Sequence, residues 1–269
     1  MPSVCHNERM NLMREIRATP VERGTVALWW MGQNGFLFKT AEGTVVATDL
    51  YLTDSCVGIA PDGINLERQV PVLIPPEEID ADVYVCTHSH MDHADPETIG
   101  RLRRKDTMMF VGPHRTCEIY RLCGVEDGRM AAVFAGEEIE IRDVAMRATF
   151  AMPTDDTDLN HVGYVFTFGD GPRVYMTGDT AACELLGSAA RHRPQYMITC
   201  INGGFKNLSH DQAALLAAEI RPKAAIPCHY DMFPDNSCDP RQFRAALKLR
   251  APEVRYCAPV HGQKVVLET

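Results

Sequence analysis

The stretch CTHSHMDHADPETI, Cys86 to Ile99, holds three histidines and two aspartates within the eight residues from His88 to Asp95. It continues DVYVCTH (82–88), whose valine and tyrosine content reads as a buried strand. It runs on into DPETIGRLRRK (95–105), which reads as a helix. Asp95 suits the N-cap there, and Pro96 the first helical position. In extended backbone His88 and His90 are two residues apart and point to the same side. Asp92 and His93 then fall in the turn before the helix. Two pairs of ligand-type side chains can therefore converge on two neighbouring points. Imidazole and carboxylate together suit zinc, manganese or iron. A merely histidine-rich surface loop would not order four ligand-type side chains in six residues at a strand end, so the stretch is read as a metal site.

The rest of the chain supplies the frame. Upstream, residues 6–18 show helical spacing, with Met10, Met13 and Ile16 on one side. Short strand-like runs follow at 25–30, 35–40 and 44–50, then a long irregular stretch from Tyr51 to about Asp80. A loop of that length is usually functional or disordered. Downstream, MMFVG (108–112) reads as a strand and 113–124 as a helix ending at Gly124. A β-rich patch covers 131–150, and runs 161–168 and 173–179 read as a strand pair across Gly169-Asp170-Gly171. Strands at 195–203 and 224–230 alternate with helices at 209–220 and 239–250, and two terminal runs close the chain as strands. The first helix of that pair carries a capping box, Ser209 to Gln212, and the second repeats the Asp-Pro start. No linker or repeat interrupts this order. It predicts one α+β domain over residues 1–269, with sheets in the middle and helices outside.

Composition narrows the partners. A formal net charge of −9 argues against a nucleic-acid backbone or an anionic membrane as the main partner. No signal peptide and no bilayer-length apolar run is expected from the sequence. The ten cysteines form no C-x-x-C pair, and Cys86, Cys200 and Cys228 lie in or beside apolar strand-like runs. They read as reduced core thiols of a cytoplasmic protein.

H-S-H-M-D-H resembles the H-x-H-x-D-H signature of the metallo-β-lactamase superfamily. VVATDL, YMTGDT and IPCHYD match further motifs of that family in the right order. The resemblance implies a four-layer αβ/βα sandwich. It gives Asp49 a structural role behind the metal loop, makes Asp179 a carboxylate bridging two metals and makes His229 the last histidine ligand. VALWWMGQNGFLFKT, HVGYVF, VYMTGDT and AAIPCHYDMFPDNSCDPRQF are similar to the L-ascorbate-6-phosphate lactonase group, over nearly the whole chain. The third ligand of the first metal departs from the common pattern. In PTDDTDLNHVGYVF, Asp155 and Asp156 stand near the expected spacing and His161 adjoins the strand; Asp156 is favoured, with His161 the alternative.

The implied site holds two divalent ions, zinc or manganese. The first takes His88, His90 and Asp156, the second Asp92, His93 and His229, and Asp179 bridges them. Two such ions acidify a shared water and polarise the substrate oxygen, with Asp92 and Asp179 as the catalytic carboxylates. The substrate expected is a phosphorylated small molecule, a sugar-acid lactone such as L-ascorbate 6-phosphate. The loop NGGFKNLSH (202–210) is a candidate phosphate binder, with Lys206 and Asn207, ahead of a helix N-terminus. His161 and, through the resemblance, Asn236 are further pocket candidates. A phosphodiesterase is the alternative within the superfamily, and a non-catalytic metal-binding module the alternative outside enzymes. A homo-oligomer stays open.

Overall fold

A computed structural model describes residues 11–269. Among these residues fourteen strands form two seven-stranded sheets. The first begins with β1 (Thr25–Gly32), β2 (Gly35–Thr40) and β3 (Val45–Thr48), and continues with β4 (Val83–Val85), β5 (Met109–Gly112) and β6 (Met130–Ala132). The second holds β7 (Glu138–Ile141), β8 (Val144–Phe150), β9 (Val162–Phe168), β10 (Arg173–Met176), β11 (Tyr196–Cys200), β12 (Ala224–Cys228) and β13 (Arg255–Tyr256). The last strand, β14 (Lys264–Glu268), returns to pair with β1 in the first sheet, antiparallel.

Side-chain alternation along β1 shows why the sheets stack. Val26, Leu28 and Trp30 join a cluster with Met146, Tyr164 and Phe166 of the second sheet. Ala27, Trp29 and Met31 point the other way, to a cluster with residues of the first-sheet helices. Successive side chains of a strand leave on opposite faces, so a strand apolar at every position needs cover on both. Helices α1 (Leu12–Ala18), α2 (Pro96–Arg101) and α3 (His114–Leu122) supply it for the first sheet through Met13, Ile16, Ile99 and Tyr120. Helices α4 (His210–Ile220) and α5 (Pro240–Arg250) cover the second through Ala214, Ala217, Phe243 and Leu247. The result is the expected α+β sandwich of four layers, helix–sheet–sheet–helix. Each fully buried Phe, Leu or Val contributes about 1.5–3 kcal/mol of transfer free energy.

The caps behave as their residue types require. Asp95 accepts from the backbone N–H of Glu97 and Thr98 at 3.0 and 3.1 Å. The Ser209 capping box has both its bonds. Some boundaries move. The helix expected over 6–18 is α1, capped by Asn11; Met10 and the residues before it lie outside the described ones. The helix expected to run to 105 stops at Arg101, because Leu102 takes an extended backbone with ψ 128°. The β-rich patch of 131–150 divides between the sheets: β6 ends the first, and β7 and β8 start the second.

Two features of this frame place the site. Strands β3, β4, β5 and β6 run parallel, so their carboxyl ends share one edge of the first sheet. Strands β10, β11 and β12 are likewise parallel. The long stretch after β3 is ordered: Tyr51, Cys56 and Leu66 form a small core with Met232 and Phe233. Arg68 fastens it by donating to the Tyr51 carbonyl at 2.6 Å. Among the described residues no helix is long and apolar enough to cross a membrane.

Candidate metal centre

Strand ends deliver the ligand-type residues. His88 to His93 follow β4, Asp179 follows β10, and His229 follows β12 directly. Two clusters result. His88, His90 and His161 bring ligand atoms within 4.8 Å of one another, and so do Asp92, His93, Asp179 and His229. The clusters adjoin: the His88 and His93 rings have centroids 4.1 Å apart.

In His88, His90, His93 and His161 one imidazole nitrogen is engaged, which fixes the other for a cation. His93 Nδ1 donates to Asp49 Oδ2 at 2.9 Å, and its Nε2 is buried without a hydrogen-bond partner. His161 Nδ1 donates to the Asp179 carbonyl at 3.1 Å, and its Nε2 is likewise unpartnered. His88 Nδ1 meets the Thr87 hydroxyl at 3.0 Å, again leaving a buried Nε2 without partner. His90 is held the other way round, its Nε2 lying 3.1 Å from the Thr157 hydroxyl and 3.3 Å from Asp155. That leaves its Nδ1 to offer. Asp179 Oδ1 is a further buried atom with no partner. Buried polar atoms are almost always satisfied. Four orphans drawn from the two clusters, all lone-pair bearers, fit divalent cations.

Electrostatics divides the site into a half of neutral imidazoles and a half in which carboxylates and imidazolium are paired. Burial pushes His88 well below the ordinary histidine value, and its neighbours His93, His161 and His90 push it further. His161 is lowered for the same first reason, burial. Both therefore present neutral imidazoles, the form that ligates metal. In the other cluster burial works to raise the Asp92 and Asp179 carboxyls, but the adjacent His93 and His229 outweigh it and hold both well below the usual range. Burial would lower His229, yet Asp179 and Asp92 push it up to about 9. Before a cation is bound, imidazolium is the counter-charge of the two carboxylates, and binding a cation releases that proton.

Asp49 anchors the metal loop from behind. It accepts from the Thr87 N–H at 2.8 Å, the Thr87 hydroxyl at 2.7 Å and the Asn34 amide at 2.5 Å, besides His93. Asp49 and His229 have φ of 41° and 62°, a left-handed backbone that non-glycine residues avoid and that strong surrounding contacts must enforce. Gly178 is needed for a different reason. A Cβ there would come within 2.9 Å of Thr87 Cβ, so only glycine lets the Asp179 loop close on the His88 loop.

Several expected residues lie elsewhere. Asp156 is exposed and belongs to neither cluster; His161 stands in its place beside His88 and His90. The turn through Asp155, which accepts from the Thr157 N–H at 2.7 Å, holds this acidic pair outward while Asp155 braces His90. Asn207, expected to meet substrate, donates to Asp179 Oδ2 at 2.6 Å and so orients that carboxylate. Asn236 accepts from Asn202 at 2.6 Å and braces the 202–207 loop. Lys206 is exposed on that loop. Gln33 and Asn34 carried no role in the sequence reading, yet both are fully buried against the ligands. Their signal was two consecutive amides in an otherwise apolar hairpin.

Comparison with known proteins agrees with this geometry. A family model described as the beta-lactamase superfamily domain matches residues 27–229. A probable L-ascorbate-6-phosphate lactonase of Salmonella heidelberg is 23% identical, over 91% of this chain and 80% of its own length. A metallo hydrolase from the archaeon Ignicoccus hospitalis superposes with a TM-score of 0.72 at 22% identity, covering 91% of this chain and 99% of that one. An isothiocyanate hydrolase from Delia radicum gut bacteria gives 0.71 at 17% identity, covering 90% and 99%. At such identities the structural likenesses speak for the fold alone. With the family match across both clusters and a histidine–aspartate arrangement fitted to a dimetal site, the chain belongs to the metallo-β-lactamase superfamily and is one of its metal-dependent hydrolases.

Proposed function

We propose that this chain hydrolyses a lactone, the cyclic ester of a sugar acid, with a phosphorylated sugar acid such as L-ascorbate 6-phosphate as the substrate class, in the cytoplasm. The observation that carries the reading is the junction of the two clusters at Asp179. Its side chain lies 3.4 Å from His93 Nε2 and 3.2 Å from His229 Nε2, while its own carbonyl accepts from His161. One residue thus links both clusters, an arrangement suited to two zinc or manganese ions held by His88, His90 and His161 on one side, and Asp92, His93 and His229 on the other. When bound, such a pair supplies Lewis acidity and a water acidified toward neutral pH.

The chain's own groups do the rest. Asn207 and the histidines hold Asp179 in one orientation. Asp92 is the more open carboxylate, with 16% of its side chain exposed against 7% for Asp179, and so is placed to meet substrate. Water adds its oxygen to the ester carbon, the ring C–O bond breaks, and Asp92 carries the water's proton to the departing ring oxygen, giving a hydroxy acid. Lys206, on the loop whose Asn207 touches Asp179, is the cation proposed to meet the substrate phosphate.

The test is turnover by the zinc- or manganese-loaded protein. L-ascorbate 6-phosphate-type lactones, their unphosphorylated counterparts and bis-nitrophenyl phosphate are compared. Lactone turnover that is faster on the phosphorylated form supports the proposal. Turnover of the phosphodiester alone sinks it in favour of a phosphodiesterase.

A further inference from the structure

The turn between β1 and β2 carries Gln33, a fully buried residue with a left-handed backbone at φ 50°. Two donors fix its carbonyl: Trp30 Nε1 at 3.0 Å and the His229 N–H at 3.0 Å. Trp30 is itself stacked on Tyr230, with ring centroids 4.5 Å apart. The backbone is thus clamped, and the carboxamide is aimed into the metal centre. Its Nε2 lies 2.7 Å from Asp92 Oδ2 and 2.9 Å from His229 Nε2, and its Oε1 is buried without a partner.

The neighbouring Asn34 is a useful contrast. Its amide donates to Asp49 and its oxygen accepts from the Cys228 thiol at 3.0 Å, so both ends are engaged by residues outside the two ligand clusters. Gln33 has no such partners, because Asp92 and His229 are both ligand candidates. An imidazole nitrogen has one lone pair, so a cation at His229 Nε2 leaves none for Gln33. Once the site is loaded, one Gln33 N–H keeps its 2.7 Å bond to Asp92 Oδ2, whose carboxylate has lone pairs to spare, and the other is a rigidly held, desolvated donor at the metal centre.

We infer that Gln33 is a catalytic residue whose Nε2–H donates to the substrate oxygen on which negative charge develops. In ester hydrolysis that atom is the carbonyl oxygen, which gains the charge as water adds to carbon and loses it as the ring C–O bond breaks. A donor fixed before reaction stabilises that charge without reorganising. The identity of the oxygen rests on the lactone reading; the donor role does not.

The experiment compares the wild-type holoenzyme with Gln33→Glu, which keeps shape and an oxygen but loses the donor, and Gln33→Ala. Three quantities are read: metal affinity by chelator competition, affinity for phenylboronic acid by calorimetry, and kcat and KM on whichever substrate the wild type turns over. The expected result is unchanged metal affinity in Gln33→Ala, boronate binding weakened at least tenfold, and kcat lowered about 10²–10³-fold in both variants with KM little changed. Weakened metal affinity in Gln33→Ala overturns the inference whatever the activity, since Gln33 would then be a ligand through its oxygen. Parental kcat or parental boronate binding in Gln33→Glu overturns it as well. If the wild type cleaves only the phosphodiester, the lactone reading fails while the Gln33 effect is still measured.

Discussion

Replacing Asp49 by Asn tests how far the site depends on a residue outside both ligand clusters. Asp49 receives four hydrogen bonds: two from Thr87, one from Asn34 and one from His93. A carboxylate accepts all four. A carboxamide of the same shape must turn one end into a donor. Its best choice is to keep the oxygen toward the three donors at Oδ2 and set its NH₂ against the Thr87 N–H. An unpaired buried amide costs about 1–3 kcal/mol. The remaining bond to His93 loses its charge, and losing such an outer partner of a ligand histidine typically costs 10–100-fold in metal affinity. That is about 1.4–2.7 kcal/mol. The apo variant should therefore unfold in urea with about 1–3 kcal/mol less stability, and the holo variant should lose the second amount in addition. Asp82→Ala is the control. Asp82 lies at the other end of β4, paired with Arg17 at 2.9 Å and Arg142 at 3.0 Å. It should lose stability and keep metal affinity. If Asp49→Asn binds metal within twofold of the wild type, the carboxylate does not tune His93 and the reasoning is refuted.

Further outcomes follow from the same geometry. His161→Ala should lose about one metal equivalent by elemental analysis, whereas Asp156→Ala should retain two; the reverse pattern would restore the acidic ligand. Phe166 is fully buried and lies against Phe38 and Phe168 with centroids at 5.8 and 5.6 Å, so Phe166→Ala should cost about 3–5 kcal/mol by urea titration. A loss under 1 kcal/mol would mean the inter-sheet core is loosely packed there. Burial works to raise the Asp158 carboxyl, but the N–H groups of Ser89 and Asn160 outweigh it and hold it below the ordinary range. Its folded value thus lies below its unfolded one, so its contribution is present above about pH 4 and is lost as pH falls through the folded value. The stability gap between wild type and Asp158→Asn should shrink below pH 4, and a gap constant down to pH 2.5 would contradict this.

Much of the fold was legible because its determinants are local. Val-rich runs covered on both faces gave the strands. Asp95, Ser209 and Asp239 cap helices through bonds that reach two or three residues, which a linear reading can see. The division of 131–150 between two sheets was not legible, because nothing within β6 or β7 states which sheet edge it will meet. At the site, His88, His90, Asp92 and His93 announced themselves by spacing at a strand end. Asp179 and His229 entered through family motifs, and the structure places both beside His93.

The sequence by itself thus determined the ligand-rich strand end, the helix caps and the unbroken apolar runs that need cover on both faces, since each depends on contacts within about one turn of chain. Tertiary structure decided the rest. Whether Asp156 or His161 faces His88 depends on how the 153–160 loop turns, and Asp155 and Thr157 turn it toward His90 so that Asp156 points out. Gln33 and Asn34 lie more than fifty residues before His88, and only the closing of the β1–β2 turn onto the ends of β3, β4 and β12 buries them against Asp49, Asp92 and His229. A side chain's partners there are set by which strand ends share an edge, and that is a property of the sheets rather than of any segment within them.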